Sequence, residues 1–227
     1  MPEVMALILN IETATTNCSV SIAEDGRMIA LRELNSASYS HSEDLHYFIK
    51  EVLEEASIAT TDLDAIAVSK GPGSYTGLRI GVSAAKGLCF SLDIPLIGIS
   101  TLESMVAQLK LKEGIVIPVL DARRMEVYSA VFNSDYEQIR ETRVEEVQPD
   151  LYDEYTERGK VYVIGNGALK CSEILKHPNI VFDDSVLPSA REMCPLSYDK
   201  FMTKNFENTA YFEPDYLKYF IIKQKKK

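Results

Sequence analysis

The stretch that most restricts the possible folds of this chain runs from Val68 to Cys89, and it reads as strand, tight turn, then helix. The apolar strand Ala65 to Ser69 meets Gly71-Pro72-Gly73, where two residues that tolerate positive φ flank one whose φ is fixed, so the chain must turn. Ser74 is placed to cap the helix that follows, from Thr76 to about Leu92. Within that helix Gly77, Gly81, Ala84, Ala85 and Gly87 recur mostly at three- and four-residue spacing, which leaves one side nearly bare backbone. Glycines in a helix interior cost roughly 1 kcal/mol each against alanine, so something must compensate. Three readings stay open: close packing inside the protein's own core, a flat face for another protein chain, or anion binding at the helix N-terminus. The third lacks its usual residues, because Gly77 is followed by Leu78 and Arg79 where a phosphate loop places Lys and then Ser or Thr.

At 227 residues and 46% hydrophobic, the chain can bury a core as one large domain or two small ones. Cys18, Cys89, Cys171 and Cys194 lie far apart with no C-x-x-C pair, which predicts neither a disulfide framework nor a zinc site and suits a reducing compartment. The start, Met-Pro-Glu, leads straight into an apolar strand without a basic flank, and no apolar run approaches the roughly 18 residues of a membrane span. A soluble cytoplasmic protein is expected. Net charge is −10, which opposes independent binding to a polyanion, so a partner would supply most of the positive surface if nucleic acid matters. The basic run is terminal, Lys223 to Lys227.

Along the chain, strands are expected at residues 6–11, 18–23 and 28–33, the last two joined by a hairpin turn at Glu24 to Arg27. Ser40 and Glu43 form a capping box, and Leu45, Phe48, Ile49, Val52, Leu53 and Ala56 mark one face of an amphipathic helix. The glycine-rich unit follows, then a strand at 95–99 and a helix at 101–110. The second half repeats the order: strands at 115–120, 126–132 and 138–147, a short helix from Pro149, a strand at 161–164, a helix at 168–175, a strand at 180–182 and a helical stretch at 188–205. The order suggests a duplication, without a residue-level repeat. We expect a first lobe at 1–112, a smaller second lobe at 113–210, and a segment at 211–227, rich in aromatics, that docks back on the first lobe.

Chemistry-bearing clusters are few. His41 and His46, five apart, lie roughly 140° apart around a helix and cannot easily face one metal, while His177 precedes a proline in a loop. No metal site is expected. Asp121, Arg123 and Glu126 gather charges at a strand-to-strand turn, read here as a salt-bridged hairpin. No Gly-x-Ser-x-Gly elbow or Cys/His pairing offers a nucleophile.

Several segments carry a resemblance: Ile8 to Thr13, Lys70 to Gly81, Gly98 to Leu102, Asp121 to Arg123 with Glu126 to Tyr128, and Glu213 to Leu217. Together they resemble the TsaB family of bacterial tRNA threonylcarbamoyladenosine biosynthesis proteins. The resemblance implies an α/β chain with the two-lobed actin-like, sugar-kinase-like and heat-shock-chaperone-like fold, built from duplicated ribonuclease-H-like lobes. It also implies a non-catalytic subunit that binds a catalytic paralogue, TsaD, with a small ATPase, TsaE, joining the pair. TsaD transfers threonylcarbamoyl to the adenosine beside the anticodon of tRNAs that read codons beginning with A. On this reading tRNA is met only through the complex, no membrane is involved, and no cofactor or catalytic residue belongs to this chain. The partner interface is expected at Tyr75, Gly77, Leu78, Gly81, Ala84 and Ala85 of the glycine-rich helix with Leu45, Phe48 and Ile49 of the amphipathic helix, and a weak homodimer is expected through the same surface. Glu12, Thr13, Gly165 and Gly167 stand where the relatives' phosphate hairpin and nucleotide loop would be, as a degenerate nucleotide site. The paralogue's His-x-x-x-His motif is not matched, since Leu45 follows His41 at the fourth position. The alternative is an active small-molecule kinase or nucleotide hydrolase of the same fold, which would need an acid pair for Mg²⁺ and an adenine loop.

Overall fold

The computed structural model describes residues 5–36 and 41–218. Five strands build a first sheet. The strands β1 (Leu7–Glu12), β2 (Asn17–Glu24) and β3 (Arg27–Asn35) form an antiparallel meander, and β4 (Ala65–Gly71) and β5 (Leu96–Ser100) add in parallel on the other side of β1. The order is β3-β2-β1-β4-β5. A second sheet repeats it with β6 (Ile115–Asp121), β7 (Glu126–Phe132), β8 (Gln138–Glu146), β9 (Val161–Ile164) and β10 (Ile180–Asp183), in the order β10-β9-β6-β7-β8. The duplication suggested by element order is therefore present as sheet topology.

Central strands read as continuous apolar runs because helices cover both faces. On one face of the first sheet lie α1 (His41–Ala56) and α2 (Tyr75–Leu92), whose Leu45, Phe48, Val52, Val82 and Ala85 pack with Leu9, Ile11, Ile66 and Val68. Ser40, the expected cap of α1, lies outside the described residues. On the second sheet α4 (Asp153–Thr156) and α5 (Ala168–Ile174) bring Tyr155, Ala168 and Cys171 onto Ile117, Val119, Val161 and Val163.

The remaining two helices are exchanged between the lobes. The helix α3 (Thr101–Val106), from the first half of the sequence, packs Leu102, Met105 and Val106 with Val116, Leu120, Phe132 and Ile164 of the second half. The helix α6 (Ala190–Met202), from the second half, sets Ala190 and Met193 on Ile8, Ala65, Ala67, Ile97 and Ile99 of the first sheet. All first-sheet strands precede residue 113 and all second-sheet strands follow it, but the packing does not divide at 112 and 210 as the element order suggests. Three helices also start late or end early. The helix α3 stops at Val106 rather than Lys110, the helix expected from Pro149 starts at Asp153, and α6 starts at Ala190, where the Ser189 hydroxyl accepts from Arg191 N–H at 3.2 Å.

Candidate partner-binding surface

Ser74 caps α2 by accepting from Gly77 N–H at 3.3 Å, and Asp93 ends the helix in the left-handed region, φ 55°. The bare side of α2 is turned inward. A Cβ on Gly77 would collide with the Thr13 carbonyl oxygen, and one on Gly81 with the Thr13 hydroxyl oxygen. The Thr13 hydroxyl donates to Gly77 O at 2.8 Å, and Ser74 N–H donates to Ala14 O at 2.7 Å. The first two turns of α2 thus lie directly on the turn between β1 and β2, which only glycine at these positions permits. Close packing inside the core explains both residues.

This corrects the geometry expected from spacing. Gly77, Leu78, Gly81 and Ala85 of α2 and Leu45, Phe48 and Ile49 of α1 are all buried in the described chain, so none of them offers an outer face. Tyr75 is 38% exposed and Ala84 is half-buried, and these two do reach the surface. What lies outside is a different stripe of the same helices: an open groove of about 710 Å³ between α1 and α2, lined by His46, Arg79, Ile80, Ser83, Gly87 and Leu88 among others. Gly87 differs from the two inner glycines, because a Cβ there would meet nothing within 4 Å among the described residues. The spacing of small residues includes Gly87 without giving it a role; its signal is its position three residues beyond Ala84, on the side of the helix that lines the groove.

A C-terminal strap borders the groove. Phe212 is buried in the first core, Lys86 Nζ donates to Phe212 O at 2.9 Å, and Asp215 N–H donates to Lys70 O at 2.7 Å. The Tyr216 ring lies 4.9 Å from the Tyr75 ring, tilted by 44°, and the Arg79 guanidinium also sits over Tyr75, 4.4 Å from its centroid. Beyond it Lys218 Nζ donates to Ala122 O at 2.6 Å and pairs with the Glu126 carboxylate. The strap therefore runs from α2 to the turn between β6 and β7. That turn is ion-paired as expected, but through lysines: Asp121 pairs with Lys170 at 2.6 Å, and Lys218 holds the Glu126 carboxyl below its usual range. Arg123 contributes its backbone N–H to Asp121 Oδ1 at 2.6 Å, while its side chain is exposed.

The four positions of the degenerate nucleotide site fall into two separate places. Glu12 and Thr13 are fully buried beneath α2. Gly165 (φ 107°) packs on Val119 and Met105, and Gly167 N–H donates to Val119 O at 3.2 Å. Among the described residues no hydrogen bond joins one pair to the other. His41, 2% exposed, places Nε2 2.6 Å from Thr15 O, whereas His46 is exposed on the groove. Among the described residues no group of three or more His, Cys, Asp or Glu is arranged to hold a metal ion.

Glu12 carries its own expected result. Its Oε1 accepts from Ala14 N–H at 2.6 Å, its Oε2 has no hydrogen-bond partner among the described residues, and burial pushes its carboxyl up to about 7 from an ordinary 4.5. The folded chain then keeps a proton that the unfolded chain releases, so stability should decline as pH rises from about 4.5 to about 7 and level off above. Glu12→Gln should remove that decline. Unfolding midpoints across the interval test this, and an identical slope in the variant would show that Glu12 is not its source.

Residues 35–197 match the family model described as TsaD, tRNA N6-adenosine threonylcarbamoyltransferase. The chain is 32% identical over 219 residues to the tRNA threonylcarbamoyladenosine biosynthesis protein TsaB of Escherichia coli, covering 93% of this chain and 94% of that one. It is 31% identical to the TsaB of Haemophilus influenzae, covering 93% of each. Among solved structures it is similar, with a TM-score of 0.84 and 25% identity, to a protein of Pseudomonas aeruginosa described as resembling peptidase YEAZ, covering 94% of this chain and all of that one. The repeated sheets and their exchanged helices define an α/β protein of the actin-like class. Within that class the chain belongs to the TsaB family of tRNA threonylcarbamoyladenosine biosynthesis proteins.

Proposed function

We propose that the chain is a non-catalytic subunit that binds and activates the catalytic paralogue TsaD, through the outer groove between α1 and α2, during threonylcarbamoylation of tRNA. The ATPase TsaE engages the pair, tRNA is modified in the cytoplasm, and a second copy of this chain can occupy the same groove weakly. The observation that carries the reading is Gly87. A glycine in a helix interior costs about 1 kcal/mol against alanine, and nothing among the described residues requires it, because its Cβ direction is open to them. Gly87 lies on the wall of an exposed groove that also offers Ile80 and Leu88, so close approach of another chain's helix is the compensation. Burial of Glu12 and Thr13 under α2 supports the non-catalytic part, since a phosphate hairpin needs its polar groups in the open.

Two substitutions test the groove. Gly87→Ala should raise the unfolding midpoint of the isolated chain, by about 0.5–1 kcal/mol of helix propensity. Gly87→Leu should raise that midpoint by a similar amount, since leucine is nearly as good a helix former as alanine, and yet lower affinity for TsaD about ten- to a hundredfold, as overpacking at a helix–helix contact costs roughly 1–3 kcal/mol. Titration of the variants against TsaD, alongside modification by the reconstituted system, gives the answer. Unchanged affinity for Gly87→Leu would remove the groove from the interface, and ATP turnover by the isolated chain that survives repurification would overturn the non-catalytic assignment.

A further inference from the structure

Two aromatic side chains stand out from the surface beside the groove. Phe90 is 87% exposed and Tyr211 is 84% exposed, more than any other large hydrophobic residue among the described residues. Single apolar residues on a surface need no explanation, but two aromatic rings that share a place do. Phe90 follows Gly87 by three residues on α2, which sets it about 4.5 Å further along the axis and about 60° around it. Its direction falls between those of Arg79 and Ser83, which both line the groove.

The strap brings Tyr211 to the same part of α2. Lys86, one helical turn before Phe90, donates through Nζ to Ala210 O at 3.1 Å and to Phe212 O at 2.9 Å, so the carbonyls on either side of Tyr211 are held. The Tyr211 N–H donates to Asn208 O at 3.1 Å, and the next residue, Phe212, is buried in the first core. Phe90 is held as firmly, inside a helix that runs on to Leu92 and whose cap, Asp93, donates its backbone N–H to Cys89 O. At these exposures neither ring serves the core, yet both are presented on fixed backbone. Little backbone ordering is left for a binding event to impose.

We propose that Phe90 and Tyr211 form an aromatic anchor for the partner that occupies the groove, a helix of TsaD, an inference that rests on the function proposed above. An α-helix with its side chains is about 10 Å across, so one that packs closely on Gly87 also meets the ring that stands about 4.5 Å beyond it. The relief of α2 sets what that helix must carry. A bulky apolar side chain fits over Gly87, and a small residue opposite Phe90 leaves a depression for the ring to fill. Aromatic anchors that lose their water at such a contact carry a large share of the binding energy, and the energetically neutral contacts surround them.

The test titrates TsaD into the full chain, whose sequence contains no tryptophan. Phe90→Trp and Tyr211→Trp each introduce one indole, and the parent chain with TsaD supplies the baseline. The emission of each indole should move to shorter wavelength and resist quenching by acrylamide as TsaD binds. Phe90→Ser should lower affinity for TsaD about tenfold or more, and Tyr211→Ser about three- to tenfold. The unfolding midpoint of the isolated chain should hold in both, since serine and phenylalanine have similar helix propensities and both positions are exposed. If the parent binds TsaD while both indoles stay in water, or while both serine variants bind as tightly, this proposal alone is overturned. A shift that appears as the isolated chain is concentrated, with none added by TsaD, also overturns it and assigns the anchor to a second copy. A parent chain that does not bind TsaD overturns the proposed function and the anchor together.

Discussion

Gly81→Leu is expected to destabilise the first lobe rather than to weaken an intermolecular contact. The new side chain would start where the Thr13 hydroxyl oxygen already sits, with Ile11 Cγ2 3.5 Å from its Cβ, so α2 could keep it only by lifting off β1. Overpacking of this kind costs about 3 kcal/mol or more, which for a chain of this size lowers the unfolding midpoint on the order of 10 °C. The milder pair Gly77→Ala and Gly81→Ala separates two causes. At Gly81 the obstacle is a side-chain atom, so adding Thr13→Ala should recover part of the loss. At Gly77 the obstacle is the Thr13 carbonyl oxygen, and the same addition should recover nothing. Double-mutant cycles by thermal unfolding measure this, with a coupling of at least about 0.5 kcal/mol expected at position 81. Equal behaviour of the two pairs would show that the contact between α2 and the Thr13 turn is not what sets stability.

Arg140→Ala should be at least as damaging to the second lobe. Arg140 and Glu145 on β8 form a bidentate pair, with N···O distances of 2.9 and 2.7 Å and side chains 11% and 12% exposed. The Ser129 hydroxyl joins the pair, and the guanidinium lies 5.8 Å from the centroid of the Tyr152 ring and 5.9 Å from that of Tyr155. Removing one partner strands a nearly buried carboxylate, at about 3–5 kcal/mol and a midpoint lower by on the order of 10 °C. The double variant Arg140→Met with Glu145→Leu should regain most of that, because matched apolar groups need no partner. If the double variant melts as low as the single, loss of side-chain packing rather than the stranded charge is responsible.

Which parts of this fold were legible depends on how local the deciding contact is. Apolar runs such as Ile115 to Leu120 announce strands by themselves, and the spacing of Leu45, Phe48, Ile49 and Val52 announces α1, because each pattern is completed within a few residues. The direction of the small face of α2 was not legible. Glycines three to four apart look the same whether the neighbour is inside or outside, and the neighbour that decides, Thr13, lies about sixty residues earlier. The pairing of Asp121 with Lys170 and of Glu126 with Lys218 was hidden for the same reason, since Arg123 and Arg124 stand closer in sequence and look like the natural partners. The groove depends on the same distant contact: because the inner stripe of α2 faces the core, Arg79, Ser83 and Gly87 form the outer one.

The exchange of α3 and α6 between the lobes has a consequence for synthesis on the ribosome. When residues 1–112 have emerged, the first sheet can pair its five strands and receive α1 and α2, yet the face carrying Ile8, Ala65, Ala67, Ile97 and Ile99 has no cover until α6 appears. The two lobes therefore cannot mature one after the other in the usual N-terminal-first manner. An apolar sheet face waits for most of the remaining chain until α6 covers it, and the strap that sets Phe212 into the first core comes later still.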